Sequence, residues 1–124
     1  MKRKFFKKNM TWQTSYWTAM LGFFLALKRE ASVRRAVFFA VLFIGLTCAF
    51  HNHYFEILIM ILAWLQVVVY EIFNTAIEKV LDYTSNYEYH RLVKYAKDFS
   101  AGSVFIASVI GTLIFAIIMW NYFI

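Results

Sequence analysis

The chain has 124 residues, of which 62% are hydrophobic and only 16% charged. A water-soluble domain of this length cannot hide so much apolar surface, which makes a bilayer the natural solvent. The net charge of +6 comes from basic residues that flank apolar segments, so it points to membrane topology and anionic-lipid contact rather than to nucleic acid.

There is no proline, and the apolar runs are continuous. A transmembrane barrel would show alternating segments of about ten residues, so helices are expected. The predicted fold class is an all-α membrane protein: an N-terminal interfacial amphipathic helix followed by three transmembrane helices. Residues 1–124 form a single membrane domain.

The segment Met1–Met10 carries Lys2, Arg3, Lys4, Lys7 and Lys8. It is similar to the basic region of a signal peptide, but no small-x-small cleavage site follows, and the segment is expected to be retained. Met10 to Glu30 reads as a surface helix. Trp12, Tyr16, Met20, Phe23 and Leu27 form its greasy stripe, and Ala19, Gly22, Ala26 and Glu30 form a small-residue face that another helix can approach closely.

The first span covers about 34–50. Ala36 to Phe50 alone gives about 22 Å of helix, too short for a core of roughly 30 Å, so Arg34 and Arg35 must snorkel or the helix must extend through Val33. Cys48 lies inside this span and reads as a small packed hydrophobe. A short polar turn of His51, Asn52, His53 and Glu56 follows, in which the histidines read as interfacial polar residues. The second span covers 57–77, a polar connection runs from Lys79 to Asp98, and the third span covers 104–124 with Trp120 and Tyr122 as anchors. All thirteen Lys and Arg residues lie before the first span, at its start, or between the second and third. With three spans, this places the N-terminus and the Lys79–Asp98 connection in the cytoplasm and the C-terminus outside.

Chemistry concentrates at the end of the second span. Glu71, Asn74, Glu78 and Asp82 are offset by three, seven and eleven residues and share one helical face. Acids at the end of a membrane helix cost at least about 2.5–3.5 kcal/mol on insertion scales and are functional by default. Their mutual repulsion calls for a cation, and oxygen ligands of this kind suit Mg²⁺, which on the cytoplasmic side points to a nucleotide. A proton or cation pathway, or a charge-satisfied oligomer core, would account for the stripe equally well.

A second cluster, Ala96 to Ser103, includes Lys97, Asp98 and Ser100. If it opens the third span, its free backbone N–H groups and Lys97 would favour an anion; an ordinary basic flank reads the same way. In Glu88-Tyr89-His90, the aromatic beside a histidine could stack on a base or lie at the membrane surface. No Gly-rich phosphate loop and no protein-kinase signature is present, so any phosphoryl transfer must run on a helical site.

Together these pieces resemble the prokaryotic diacylglycerol kinase family, which includes undecaprenol kinases. The family pattern E-x-x-N-x-A-I-E-x-x-x-D is matched by Glu71, Asn74, Ala76, Ile77, Glu78 and Asp82. E-Y-H-x-L is matched at Glu88 to Leu92, A-K-D at Ala96 to Asp98, and G-x-x-x-A-x-x-x-E-x-x-x-R by Gly22, Ala26, Glu30 and Arg34.

The resemblance implies an ATP-dependent lipid kinase of the bacterial cell membrane, a homotrimer with its sites between subunits. Glu71 matches the family's proposed general base, and Glu30 and Glu78 match its Mg²⁺-binding glutamates. Asn74, Asp82, Glu88, Tyr89, His90, Lys97 and Asp98, with Glu30 and Glu78, would serve ATP. Arg34, Glu71 and Ser100 would serve the lipid. The chain departs from some members at Arg35-Ala36, which lacks a second acid, at Thr18, which stands in place of an aromatic, and in one extra residue between Asp82 and Glu88. The Ala101-Gly102 pair resembles the undecaprenol-kinase branch and tips the expected substrate slightly toward undecaprenol over diacylglycerol. The competing class is a non-enzymatic membrane protein such as a small channel or an assembly scaffold.

Overall fold

Thr11 sets the start of the first helix: its hydroxyl accepts from the Thr14 backbone N–H at 3.2 Å. The computed structural model describes residues 11–50 and 53–124, so the basic tail through Met10 and the residues His51 and Asn52 lie outside the described residues. Four helices follow in order: α1 Trp12–Arg29, α2 Ala31–Phe50, α3 Tyr54–Thr84 and α4 Arg91–Phe123. No strand occurs among the described residues. The last three helices are long and apolar enough to cross a membrane.

The break between α1 and α2 is a single residue. Glu30 is extended, at φ −112° and ψ 114°, while its N–H still bonds to the Ala26 carbonyl at 2.9 Å. α2 therefore starts at Ala31, earlier than Arg34, and its 20 residues span about 30 Å, which removes the shortfall of the first span. Arg34 then turns back. Its guanidinium donates to the carbonyls of Leu27 at 3.0 Å and Lys28 at 2.8 Å, satisfying two orphan acceptors at the end of α1. Arg34→Ala is expected to loosen that last turn, seen as faster amide exchange at Lys28–Glu30 with α3 and α4 unaffected; unchanged exchange there would show that the helix end holds without the clasp.

The expected polar connection from Lys79 to Asp98 is mostly helix. α3 runs 31 residues and α4 runs 33, well beyond the apolar segments 57–77 and 104–124. Nothing in Lys79–Thr84 or Arg91–Asp98 breaks a helix, so both continue past the hydrocarbon. The reversal is confined to residues 85–90. Asn86 and Tyr87 adopt left-handed φ values of 54° and 61°, and the Tyr87 N–H closes on the Asp82 carbonyl at 3.0 Å. Lys97 and Asp98 consequently lie in the second turn of α4. They do not sit at a free helix N-terminus, as was expected, because that terminus is at Arg91.

α3 is the central element, packed by α2 and by α4. Met60, Trp64, Val67 and Val68 meet Ala36 and Ala40 of α2 and Ala107 and Ile118 of α4. Small residues at these positions let the backbones approach, as membrane helix pairs require. Phe43 stacks on Trp64 with centroids 4.4 Å apart and an 8° interplanar angle, and meets Phe115 edge-on at 4.9 Å. The Trp64 ring also lies close to Gly111, where an added Cβ would fall 3.0 Å from Cε2. The stacked indole has little room to yield. Gly111→Ala is expected to cost about 1–3 kcal/mol, read as a lower thermal midpoint in detergent, whereas an unchanged midpoint would mean that the ring moves freely.

Candidate active site

α3 carries Glu71, Asn74, Glu78 and Asp82 down one side, as their spacing predicts. Asn74 is buried, and the three acids are half-buried. The Asn74 amide donates to Glu78 Oε1 at 3.4 Å, whereas its own Oδ1 is buried with no hydrogen-bond partner. A buried carbonyl oxygen without a donor is costly unless a ligand meets it. Beside it, the Thr75 and Ser32 hydroxyls lie 3.4 Å apart, joining α3 to the start of α2.

Glu71 lines a groove of ≈390 Å³ between α2 and α4, whose walls include Ser32, Arg35, Phe43, Trp64 and Ser108. Ser32, Arg35 and Glu71 make one end polar, and Phe39, Phe43 and Trp64 supply apolar walls, with Ser108 and Thr112 of α4 further along. Arg35 had been read only as a basic flank. Adjacent residues on a helix point about 100° apart, so Arg34 can clasp α1 while Arg35 faces this groove. Ser100, expected at the lipid, is half-buried one turn before Val104, which lines the same groove, and its carbonyl accepts from the Ser103 hydroxyl at 2.6 Å.

At the far end of the stripe, Asp82 is ion-paired with Lys97, which ties α3 to α4. A crevice of ≈400 Å³ at the 85–90 turn brings together Asp82, Glu88, Tyr89, His90, Lys97 and Asp98. These are six of the positions expected to serve ATP. Lys94 pairs with Asp98 at 2.6 Å across one helical turn. Lys97 and Lys94 lie outside the apolar span. Hydrogen bonding to Asp82 and to Asp98, respectively, is the main cause that holds their pKa values above the ordinary lysine value. Both therefore remain cations at neutral pH.

Glu30 meets α3 at Lys79, 2.7 Å away. The small face of α1 looks across a cleft at the same helix: Gly22, Ala26 and Glu30 line a space of ≈400 Å³ with Thr75, Ala76 and Lys79. The chain thus brings Glu30 to the residue after Glu78, with Lys79 as its counter-charge. Lys79 had been read only as the start of a polar connection. No group of three His, Cys, Asp or Glu residues poised for a metal occurs among the described residues. Mg²⁺ needs only one or two carboxylates, because phosphate and water complete its shell. The Glu78 carboxylate beside the unpartnered Asn74 Oδ1 is a hard-oxygen donor set that fits such an ion.

Residues 17–119 match the family described as prokaryotic diacylglycerol kinase. A diacylglycerol kinase of Synechocystis sp. is 30% identical over 118 residues, covering 90% of this chain and 67% of its own. The diacylglycerol kinase of Escherichia coli K12 is 30% identical over 94 residues, 76% of each chain, and that of Haemophilus influenzae is 37% identical over 89 residues, 72% of this chain and 75% of its own. With a three-span helical layout and a family match over most of its length, the chain belongs to the prokaryotic diacylglycerol kinase family.

Proposed function

We propose that this lipid kinase of a bacterial membrane transfers the γ-phosphate of ATP to the hydroxyl of diacylglycerol, giving phosphatidic acid and ADP. The observation that carries the reading is the stripe itself. Glu71 stands at the polar end of the α2–α4 groove, and the same helix face continues through Asn74 and Glu78 to Asp82, which meets Lys97 of α4 at the crevice.

Phosphoryl transfer asks for positioning and charge neutralisation more than for covalent chemistry. The lipid hydroxyl reaches Glu71 from the groove, with Ser100 on the facing helix. Glu71 takes the hydroxyl proton as the oxygen attacks the γ-phosphorus, and the bond to the β-phosphate oxygen breaks. Glu88, Tyr89, His90 and Asp98 border the nucleotide. Lys97, already held near Asp82, offsets phosphate charge. Glu78 and Asn74, with Glu30 from α1, would hold Mg²⁺, whose chemistry there would be neutralisation of phosphate charge. The basic flanks favour a cytoplasmic N-terminus and crevice, which is the side where ATP is found, and the family resemblance favours a homotrimer.

The slight lean toward undecaprenol has no support among the relatives described above, whose names specify diacylglycerol. Parallel assays of the purified protein with diacylglycerol and with undecaprenol decide the point. Faster transfer to diacylglycerol is the expected result, and faster transfer to undecaprenol would reassign the lipid. A channel or scaffold would explain the acidic stripe but not Lys97, Tyr89 and His90 gathered at its end.

A further inference from the structure

The α2–α4 groove is lined by two charged residues of opposite sign, Arg35 of α2 and Glu71 of α3. The two arginines near the start of α2 are differently engaged. Arg34 donates to the Leu27 and Lys28 carbonyls, whereas the Arg35 guanidinium makes no hydrogen bond or ion pair among the described residues. Arg35 is exposed, so its fork of five N–H donors is open to a ligand in the groove.

The proposed reaction changes the charge in this groove. Diacylglycerol arrives neutral. Phosphatidic acid leaves with a phosphate monoester of about −1.5 to −2 charge at neutral pH. That phosphate forms on the oxygen from which Glu71 takes the proton, so product and carboxylate repel each other, more strongly beside apolar walls than in water. A cation lining the same groove offsets the repulsion. Lys97 serves the other end of the stripe: it meets Asp82, eleven residues and about 16 Å of helix beyond Glu71. A guanidinium suits the task better than an ammonium, because its planar fork bonds two phosphate oxygens at once.

We infer that Arg35 anchors the product: it holds a phosphate monoester carried on a diacyl lipid at the polar end of the α2–α4 groove. This assignment rests on the groove being the lipid site of the reaction proposed above. It goes further in separating product from substrate, since the neutral lipid has no anion for Arg35 to hold.

The test titrates three short-chain lipids into the full chain in neutral detergent without nucleotide. They are a phosphatidic acid, the matching phosphatidylglycerol, whose phosphate is a diester, and the matching diacylglycerol. Arg35→Gln is expected to weaken phosphatidic acid binding about tenfold or more, the scale of a lost hydrogen bond to a charged group. Binding of the other two lipids is expected to stay within about threefold of the unmodified protein. Phosphatidic acid binding that is unchanged, or that falls together with diacylglycerol, overturns the inference. An equal fall for both anionic lipids overturns it too, since that is the general attraction of a basic flank to anionic lipid. Label transfer by the unmodified protein, assayed separately, tells two failures apart. Transfer with unchanged phosphatidic acid binding in Arg35→Gln removes the Arg35 anchor alone, whereas no transfer removes the kinase reading on which it rests.

Discussion

Glu71→Gln is expected to reduce phosphoryl transfer by about 10²–10⁴-fold, the range that a positioned general base contributes. The amide keeps the shape and polarity of the carboxylate at the mouth of the α2–α4 groove, so lipid access through Phe43 and Trp64 is preserved. It cannot accept the hydroxyl proton. The loss should therefore fall on kcat, with the KM for Mg-ATP and the thermal midpoint close to those of the unmodified protein. A variant that retains activity within about tenfold would place the base elsewhere on the stripe, with Asp82 the next carboxylate to substitute.

Lys97→Ala is expected to cost about 10²–10³-fold, comparable to removing one preorganised donor from a developing charge. Two roles have to be separated, because Lys97 also ties α4 to α3 through Asp82. The charge-swapped pair, Lys97→Asp with Asp82→Lys, restores the tie and moves the ammonium to α3. If Lys97 serves the phosphates, the swap leaves the enzyme as slow as Lys97→Ala. Recovery of most of the activity in the swap would make Lys97 a strut of the α3–α4 corner and nothing more. A surface ion pair of this exposure contributes little to stability, so folding is expected to change only slightly in either variant.

The three spans and the acidic face were legible because each rests on local periodicity. Continuous apolar runs mark the helices, and offsets of three, seven and eleven place Glu71, Asn74, Glu78 and Asp82 together whatever the rest of the chain does. The segment from Lys79 to Asp98 was misread because charge was taken as the end of the helix. Charge marks the end of the hydrocarbon, and lysine and aspartate at helix positions do not stop the helix. What does stop it is the left-handed pair Asn86 and Tyr87, two residues with no glycine to announce them.

The ion pairs were not legible for a different reason. Glu30 with Lys79, and Lys97 with Asp82, join residues on different helices. Their meeting depends on the one-residue break at Glu30 and on the length of the 85–90 turn. The sequence pattern likewise distinguished poorly between the two arginines at the start of α2. Arg34 had been expected at the lipid, yet its guanidinium lies on α1 carbonyls, while Arg35 lines the groove of Glu71.

The central claim is that this chain moves phosphate from nucleotide to a lipid hydroxyl. The most direct measurement is the appearance of label in the lipid fraction when the purified protein in detergent is given γ-labelled ATP, Mg²⁺ and diacylglycerol, with a parallel sample containing excess chelator. The account predicts labelled phosphatidic acid that forms with turnover and disappears when the divalent cation is removed. A folded, membrane-extracted protein that binds these components and leaves the lipid unlabelled, or that labels it equally in chelator, would contradict it.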